Sequence, residues 1–286
     1  MTNMKNQSDN MELAMVDDRI VPLDEAQINA NDRGLFFGDG VYEVLRVCNG
    51  RLFVLERHMQ RLKNSLDKMD MLAKADLEVI RGRIHQAMQA SQLTEALVYF
   101  HITRGRAARS HDYRDDWQPN FFLTVRPYQR HSPETARAIT HPDWRWKRCD
   151  IKSLNLLANV LAKHAAAQAG AYEAILVDEK GLITEATSSS VLLVKDNTLQ
   201  TAPLSANILP GITRELLVEW AGEIGLKTQE KSFTLAEALQ ADELIITGTT
   251  TEVMGITQLD NRTIAHGQRG QYTRQLRDRL LCAMKE

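Results

Sequence analysis

The sequence predicts an α+β protein with two domains. The chain has 286 residues, whereas one domain averages roughly 150 residues. Strand-like runs alternate with amphipathic helical stretches in both halves, and a polar segment with one proline separates the halves. We therefore expect a disordered polar tail at 1–10, an N-terminal α+β domain at 11–128, a linker at 129–137 and a C-terminal domain at 138–286.

The first domain is predicted to open with strands. A short hairpin is expected over MELAMVDDRIVPL, and a second one at Asn49-Gly50, because this dipeptide joins two β-rich runs in VYEVLRVCNGRLFVLERH. Apolar residues at three- and four-residue steps predict helices over HMQRLKNSLDKMDM and ADLEVIRGRIHQAMQASQ. Two more strands are expected in ALVYFHITRG and NFFLTVRPY.

The second half is predicted to mix strands and helices in alternation. It should begin with strands around 138–151 and continue with a helix after Lys152. The strands YEAILVD, LITEA and SVLLVKD follow, then a helix from GITRELLVEWAGEIGL, the segment TLAEALQ and the strand ADELIITG. A hairpin (GITQLDNRTIAHG) and a helix (GQYTRQLRDRLLCAM) complete it. We expect a crevice between the two domains, where small-molecule sites concentrate.

Composition excludes several classes of protein. The net charge of −2 and the pI near 6.5 favour neither nucleic acid nor an anionic membrane as a partner. Three widely spaced cysteines, Cys48, Cys149 and Cys282, indicate neither a disulfide framework nor a zinc site, and they favour a reducing cytoplasm. The run MELAMV is too short for a signal peptide, no stretch reaches membrane-spanning length, and the histidines show no metal-binding spacing.

Two positions combine an ionisable residue with an unusual setting. Lys152 lies between a strand-like run and the helix LLANVLAK, and a lysine forms a Schiff base once burial lowers its pKa from about 10.4. Glu185 ends an apolar strand and precedes the hydroxyl run of LITEATSSSV, so it could pair with a protonated ring nitrogen while Thr187, Ser188 and Ser189 donate hydrogen bonds. An ordinary surface lysine and a solvated strand end remain the alternatives.

Three further segments carry groups that suit anions. ILPGITREL places Ile212 and Thr213 at a helix N-terminus, and ITGTTTEV places Gly248 and Thr249 after a strand. Both segments suit a phosphate. A simple threonine cap is the alternative for the first segment. In TRGRAARSHDY, Arg109 and His111 are two residues apart and would point the same way on an extended segment. They could grip a carboxylate or belong to a solvated basic loop.

Together these segments resemble the fold-type IV pyridoxal 5′-phosphate aminotransferases, and within that family the D-amino acid aminotransferases most. The similarity runs from about residue 13 to 280, over NDRGLFFGDGVYEVLRV, VYFHITRG, RSH, RCDIKSLNLLANVLAK, YEAILVDEKGLITEATSSS, GITRELL and ADELIITGTTTE. The resemblance implies a small N-terminal α/β domain, a larger C-terminal pseudo-barrel domain that binds the cofactor, and a homodimer.

The resemblance also implies roles for particular residues. Lys152 would carry the cofactor as a Schiff base and shuttle the proton, and Glu185 would pair with the pyridine nitrogen. The remaining cofactor-binding residues would be Arg61, Ser188, Ser189, Leu209, Ile212, Thr213, Gly248 and Thr249. Tyr42, Arg109 and His111 would bind the substrate carboxylate. Two positions depart from the family pattern: Ser190, where asparagine is usual, and Gly248, where serine is usual.

The implied reaction is a ping-pong transamination between a D-amino acid, such as D-alanine or D-glutamate, and 2-oxoglutarate or pyruvate. The loop 107–113 would complete the site of the partner subunit. Alternatives of the same fold are a branched-chain L-amino acid aminotransferase and an aminodeoxychorismate lyase. A cofactor-binding protein without turnover and, less well supported, a zinc hydrolase are the alternatives of other classes.

Overall fold

The computed structural model describes residues 12–129 and 133–286, and these residues form two compact units. The N-terminal unit contains 12–129 together with Lys152–Asn155, and the C-terminal unit contains 133–151 and 156–286. The predicted tail at 1–10 lies outside the described residues. Strand β7 begins at Thr135, so the last three residues of the predicted linker belong to a strand.

The N-terminal unit is built on one six-stranded antiparallel sheet with the order β2-β1-β6-β5-β3-β4. Its strands are β1 (Leu13–Val16), β2 (Arg19–Pro22), β3 (Gly40–Cys48), β4 (Arg51–Leu52), β5 (Ala96–Thr103) and β6 (Asn120–Pro127). Its helices are α1 (Arg33–Phe37), α2 (Leu55–Lys68) and α3 (Leu77–Ser91). The predicted hairpin at Asn49-Gly50 is confirmed between β3 and β4, with φ values of 50° and 76° that suit a tight hairpin turn.

Strand β5 shows how the sheet separates two environments. Val98, Phe100 and Ile102 are fully or almost fully buried, as expected for alternate residues on the side of a sheet that packs into a core. Tyr99 and His101 point to the other face, where the Tyr99 hydroxyl lies 3.1 Å from His101 Nδ1. Burial raises the pKa of Tyr99 to about 12 and lowers the pKa of His101 to about 4, so both side chains are neutral at pH 7.

The C-terminal unit contains a mixed ten-stranded sheet with the order β12-β11-β10-β14-β15-β7-β8-β9-β13, and β16 pairs with β15. Its strands are β7 (Thr135–Pro142), β8 (Glu173–Val177), β9 (Leu182–Ala186), β10 (Ser190–Lys195), β11 (Thr198–Thr201), β12 (Lys227–Glu230), β13 (Phe233–Thr234), β14 (Glu243–Gly248), β15 (Glu252–Leu259) and β16 (Arg262–Thr263). Its helices are α4 (Leu157–Gln168), α5 (Ile212–Trp220), α6 (Leu235–Leu239) and α7 (Gln271–Ala283). Strand β9 also contacts β10, which lies far from it in the sheet order, so the sheet curls on itself.

Apolar residues from the curled sheet and α6 form a buried core, which includes Ile175, Phe233, Ile246 and Met254. The prediction of strands throughout 138–151 is wrong beyond Pro142, where β7 ends. The chain turns there because the Asp143 carboxylate accepts hydrogen bonds from the Arg145 backbone and side chain. No helix in the described part of the chain is long and apolar enough to cross a membrane.

The low pKa of His101 predicts an acid-dependent loss of stability. In the unfolded chain the imidazole binds a proton below about pH 6.5, whereas in the folded chain it does so only below about pH 4. The unfolded state therefore binds more protons between these values, and stability falls as the pH falls through this window. Between pH 7 and pH 5, the free energy of unfolding measured in urea should fall by about 2 kcal/mol less in His101→Gln than in the unmodified protein.

His85→Gln, at an exposed position of α3, controls for the loss of an imidazole elsewhere on the unit. If His101→Gln and the unmodified protein lost the same free energy of unfolding between pH 7 and pH 5, His101 would not be a buried neutral base.

Candidate active site

Lys152 is held against strand β3 of the N-terminal unit. Its backbone carbonyl accepts a hydrogen bond from the Tyr42 amide at 2.9 Å, and its own amide donates to Ser65 Oγ at 3.2 Å. Its side-chain Nζ lies 4.2 Å from the centre of the Tyr42 ring. The lysine is thus partly buried on an aromatic face, and the alternative of an ordinary surface lysine is not supported.

Glycine allows the Lys152 segment to approach the sheet this closely. A Cβ atom at Gly40 would lie 2.6 Å from the Ile102 carbonyl oxygen and 2.9 Å from Leu154 Cδ1. The Gly40 carbonyl accepts a hydrogen bond from the Leu154 amide at 3.0 Å, and Ser153 forms an antiparallel bridge with Val41. The second glycine of the FFGDG motif therefore sets the position of the lysine.

Arg61 is fixed by a buried carboxylate. Its Nε and Nη2 donate to Glu43 Oε1 and Oε2, both at 2.8 Å, and His58 Nδ1 lies 2.7 Å from Glu43 Oε2. Burial opposes ionisation of Glu43, but Arg61 and His58 hold its pKa well below the usual range. Burial also lowers the pKa of His58. The result is an arginine whose orientation is set by two parallel hydrogen bonds.

Glu185 has one occupied carboxylate oxygen and one open one. Oε2 accepts hydrogen bonds from Arg145 Nη1 at 2.5 Å and from the Leu209 amide at 3.1 Å. Oε1 accepts no hydrogen bond from residues 12–129 or 133–286, and the residue is only 4% exposed. Burial raises the pKa of Glu185, while Arg145 acts in the opposite direction. An oxygen in this setting can accept a hydrogen bond from a ligand N–H group.

The residues that support Glu185 were not predicted from the sequence. Arg145 Nε and Nη2 donate to the two oxygens of Asp143 at 2.9 and 2.8 Å, and Thr184 donates to Asp143 at 2.7 Å. The only local signal is the spacing of Asp143 and Arg145, which are two residues apart after a strand. The partner Glu185 is 40 residues away in the sequence.

The predicted hydroxyl run (187–189) and the predicted threonine loop (249–251) lie side by side. Ser189 Oγ is 3.0 Å from Thr251 Oγ1, and a Cβ atom at Gly248 would lie 3.3 Å from the Ser188 carbonyl oxygen. Glu252, which follows the loop, has φ +58°, and its buried carboxylate accepts a hydrogen bond from Arg277 Nη2 at 3.2 Å. This ion pair holds a backbone conformation that glutamate rarely adopts, and it anchors the loop to α7.

Helix α5 starts at Ile212, as predicted, and no side chain caps its N-terminus. A Cβ atom at Gly211 would lie 2.5 Å from Ser190 Oγ. The glycine therefore leaves room for Ser190, which stands where the family pattern has asparagine. The first amides of the helix, those of Ile212 and Thr213, are positioned to bind an anion because intrahelical acceptors are lacking there.

The three predicted carboxylate-binding residues form two groups in the N-terminal unit. Arg109 and His111 both contact the ring of Phe37, at 5.5 Å for the guanidinium carbon and 5.4 Å between ring centres. Tyr42 packs instead against Tyr99 at 5.7 Å and lies under the Lys152 amine. The predicted role of these three residues in binding a carboxylate stays a prediction.

Comparison with known proteins shows the family of the chain. Residues 40–259 match the family model of amino-transferase class IV. The chain is 40% identical to a D-alanine aminotransferase of Bacillus licheniformis over 265 residues, covering 92% of this chain and 93% of the relative. It is 35% identical to a D-alanine aminotransferase of Staphylococcus aureus (strain MSSA476), covering 94% and 96%.

Solved structures share the fold. The branched-chain amino acid aminotransferase of Escherichia coli has a TM-score of 0.88 and 21% identity, with 95% of this chain and 94% of that chain covered. The branched-chain aminotransferase of Thermoproteus uzoniensis with norvaline has a TM-score of 0.86 and 26% identity, covering 96% of both chains. Another structure of this fold is complexed with N-(5′-phosphopyridoxyl)-L-glutamate. The protein is thus an aminotransferase that depends on pyridoxal 5′-phosphate. It belongs to the class IV aminotransferases.

Each unit, taken by itself, has groups that suit parts of this cofactor. In the C-terminal unit, the open Oε1 of Glu185 would suit a protonated ring nitrogen, and the uncapped α5 N-terminus would suit a phosphate. In the N-terminal unit, Arg61 would supply a fixed cation and Lys152 an amine. The C-terminal unit carries the other predicted cofactor-binding residues: Ser188, Ser189, Leu209, Ile212, Thr213, Gly248 and Thr249.

Removing Arg145 should destabilise the protein in a pH-dependent way. Arg145→Met leaves two buried carboxylates, Asp143 and Glu185, without their shared cation, which costs about 3 kcal/mol at pH 7. Because the folded-state pKa of Glu185 would rise further above its unfolded value, proton uptake at pH 5 should reduce this deficit. Urea unfolding of the cofactor-free protein at pH 7 and pH 5 measures both effects.

Arg148→Met is the matched control, because Arg148 pairs with Asp150 on the surface and its loss should cost less than about 1 kcal/mol. If Arg145→Met lost the same free energy of unfolding at pH 7 and pH 5, the guanidinium would not be the group that keeps Glu185 ionised.

Proposed function

We propose that this aminotransferase exchanges an amino group between a D-amino acid, such as D-alanine or D-glutamate, and 2-oxoglutarate or pyruvate. The observation that carries this proposal is the 35–40% identity to D-alanine aminotransferases over more than nine tenths of the chain. The solved branched-chain enzymes cited above, at 21% and 26% identity, support the L-amino acid alternative less well.

Lys152 would hold the cofactor and move the proton. When bound, pyridoxal 5′-phosphate supplies an electron sink that stabilises negative charge at the substrate Cα. The Lys152 amine, freed when substrate binds, would take the proton from Cα as a base and then, as an acid, deliver it to C4′ of the cofactor. Contact with the Tyr42 ring and backbone pairing to β3 restrict where this amine can reach.

Glu185 and the anion-binding groups would set the charge and orientation of the cofactor. With Asp143 and Glu185 ionised and Arg145 protonated, the cluster carries one net negative charge, so a protonated ring nitrogen at Oε1 neutralises it. Arg61 and the amides of Ile212 and Thr213 would bind the phosphate, with Thr249 and Gly248 from the hairpin loop. Leu209 would pack against the ring.

Tyr42, Arg109 and His111 would bind the substrate carboxylate and so determine which face of Cα meets the lysine. We further propose that the loop 107–113 acts in a homodimer by completing the site of the partner subunit. Helix α4 supports self-association because Leu157, Val160 and Leu161 are 67%, 59% and 48% exposed at helical spacing. We also propose a cytoplasmic location, which the three free cysteines support.

The proposal predicts that Lys152→Ala abolishes transamination, because the variant loses the amine that moves the Cα proton. Borohydride reduction and mass spectrometry of the unmodified protein should find the cofactor bonded to Lys152. With 2-oxoglutarate as acceptor, D-alanine should react at least roughly 100-fold faster than L-leucine, a difference of about 2.7 kcal/mol in the activation free energy.

Lys147→Ala is the matched control, since Lys147 is an exposed lysine five residues away, and it should keep full activity. Faster reaction with L-leucine than with D-alanine would replace the proposed substrate class by the branched-chain one. Turnover by Lys152→Ala would remove the lysine from the mechanism.

A further inference from the structure

We propose that Arg33 is a positioning residue for the recognition of the substrate carboxylate, because its buried guanidinium sets the shape of the loop that carries Arg109 and His111. The inference rests on the proposed function, in which these two side chains bind the carboxylate. It adds a residue that does not touch substrate and acts through the loop backbone.

Arg33 bonds three consecutive carbonyl groups of this loop. Its Nη1 donates to the Ser110 carbonyl at 2.7 Å and to the Asp112 carbonyl at 3.2 Å, and its Nη2 donates to the His111 carbonyl at 3.2 Å. The arginine is only 4% exposed. The bonds therefore lie in a shielded setting, where they are stronger than in water.

The guanidinium is itself anchored from the opposite side. Arg33 Nε donates to Asp39 Oδ2 at 2.7 Å, and the same carboxylate pairs with Arg104 Nε at 3.1 Å. Arg104 in turn donates to the Met69 carbonyl at 2.8 Å and stacks on the Tyr113 ring at 3.8 Å. Asp39 thus connects the base of the loop to the rest of the unit.

Other contacts hold the two ends of the loop. The Ala107 amide donates to the Asn31 carbonyl at 3.1 Å, and Lys74 Nζ donates to the Asp115 and Trp117 carbonyls. The segment between these ends, 108–114, is exposed and forms no regular helix or strand, and such segments open locally at low cost in free energy. Arg33 contacts both the backbone of this segment and the Phe37 ring, which lies 4.9 Å from its guanidinium carbon and is also in contact with Arg109 and His111.

The arrangement requires arginine in particular. Its planar guanidinium offers five N–H donors in a fixed geometry, which serve the Asp39 carboxylate and three carbonyl groups at once. A lysine amine has three donors on one atom and cannot span this set. Arg33→Lys should therefore keep the positive charge next to Asp39 but lose the hydrogen bonds to the loop carbonyls. This variant separates the effect of loop positioning from the effect of charge.

The first test measures steady-state kinetics of the holoenzyme. Arg33→Gln should raise the KM for D-alanine and for 2-oxoglutarate by roughly 10- to 100-fold and change kcat by less than about threefold, as expected for lost ground-state binding. Arg33→Lys should raise both KM values by roughly fivefold or more. Arg114→Gln is the control, because Arg114 is 86% exposed on the same loop; its KM values should stay unchanged.

A second measurement uses ¹⁵N relaxation of the cofactor-free protein and does not depend on activity. Backbone order parameters of residues 109–113 should be lower in Arg33→Lys and Arg33→Gln than in the unmodified protein, because the hydrogen bonds to the loop carbonyls are lost, while Arg114→Gln should show no change. If Arg33→Gln does not fold, Arg33→Lys and Asp39→Asn carry the same comparison. Unchanged order parameters and unchanged KM values in the folded variants would overturn the inference.

Arg109→Gln separates this inference from the proposed function. If Arg109→Gln leaves both KM values unchanged, the proposed carboxylate site is wrong, and the inference that rests on it is wrong as well. If Arg109→Gln raises them and Arg33→Lys does not, only the inference fails. In the double variant of Arg33→Gln and Arg109→Gln, the KM increase should be smaller than the product of the two single increases, because part of the effect of Arg33 is exerted through Arg109 and coupled residues are not additive.

Discussion

In the proposed mechanism, the chemistry of this protein depends on the ion pair between the buried Glu185 carboxylate and Arg145. A carboxylate removed from water favours its neutral form unless a cation is near. Arg145 supplies that cation at one oxygen, and Asp143 holds Arg145 in place from the other side. The other oxygen, Oε1, is left for a ligand. Under the proposed function, this oxygen would accept a hydrogen bond from the protonated ring nitrogen of pyridoxal 5′-phosphate, which acts as an electron sink.

The N-terminal unit uses a related device for a different purpose. Glu43 is fully buried and faces Arg61 with two hydrogen bonds, and a neutral His58 shares the same carboxylate. The orientation of Arg61 is therefore fixed before any ligand arrives, which reduces the side-chain entropy lost on binding an anion. In both units a buried acid orients the cation next to it, and it does so through planar two-point contacts.

Much of the architecture followed from local patterns. The Asn49-Gly50 turn, the alternation in β5 and the start of α5 at Ile212 depend on residues that are close in the sequence. Strands β11 and β12 were not predicted, because β12 (Lys227–Glu230) is polar and exposed throughout and β11 (Thr198–Thr201) has a single apolar side chain among its four residues. The predicted helix at GITRELLVEWAGEIGL also ends earlier, since the chain tightens into a 3-10 helix after Trp220.

The site was only partly predictable for the same reason. Lys152 and Glu185 were found through motifs, whereas Arg145 and Arg33 depend on partners about 40 and 78 residues away. No local pattern distinguishes a buried arginine with distant partners from an ordinary surface arginine. The structure was needed to show which of the many arginines are buried and what each one holds.

The assignment of Lys152–Asn155 to the N-terminal unit means that neither unit is a continuous piece of polypeptide. Severing the chain near residue 130 would leave the first fragment without the short strand-like segment that bonds Gly40 and Tyr42, and would leave the second with that segment as an unsupported loop. A recombinant fragment that ends at the apparent domain boundary would therefore lack Lys152 and the hydrogen bonds that hold it against β3.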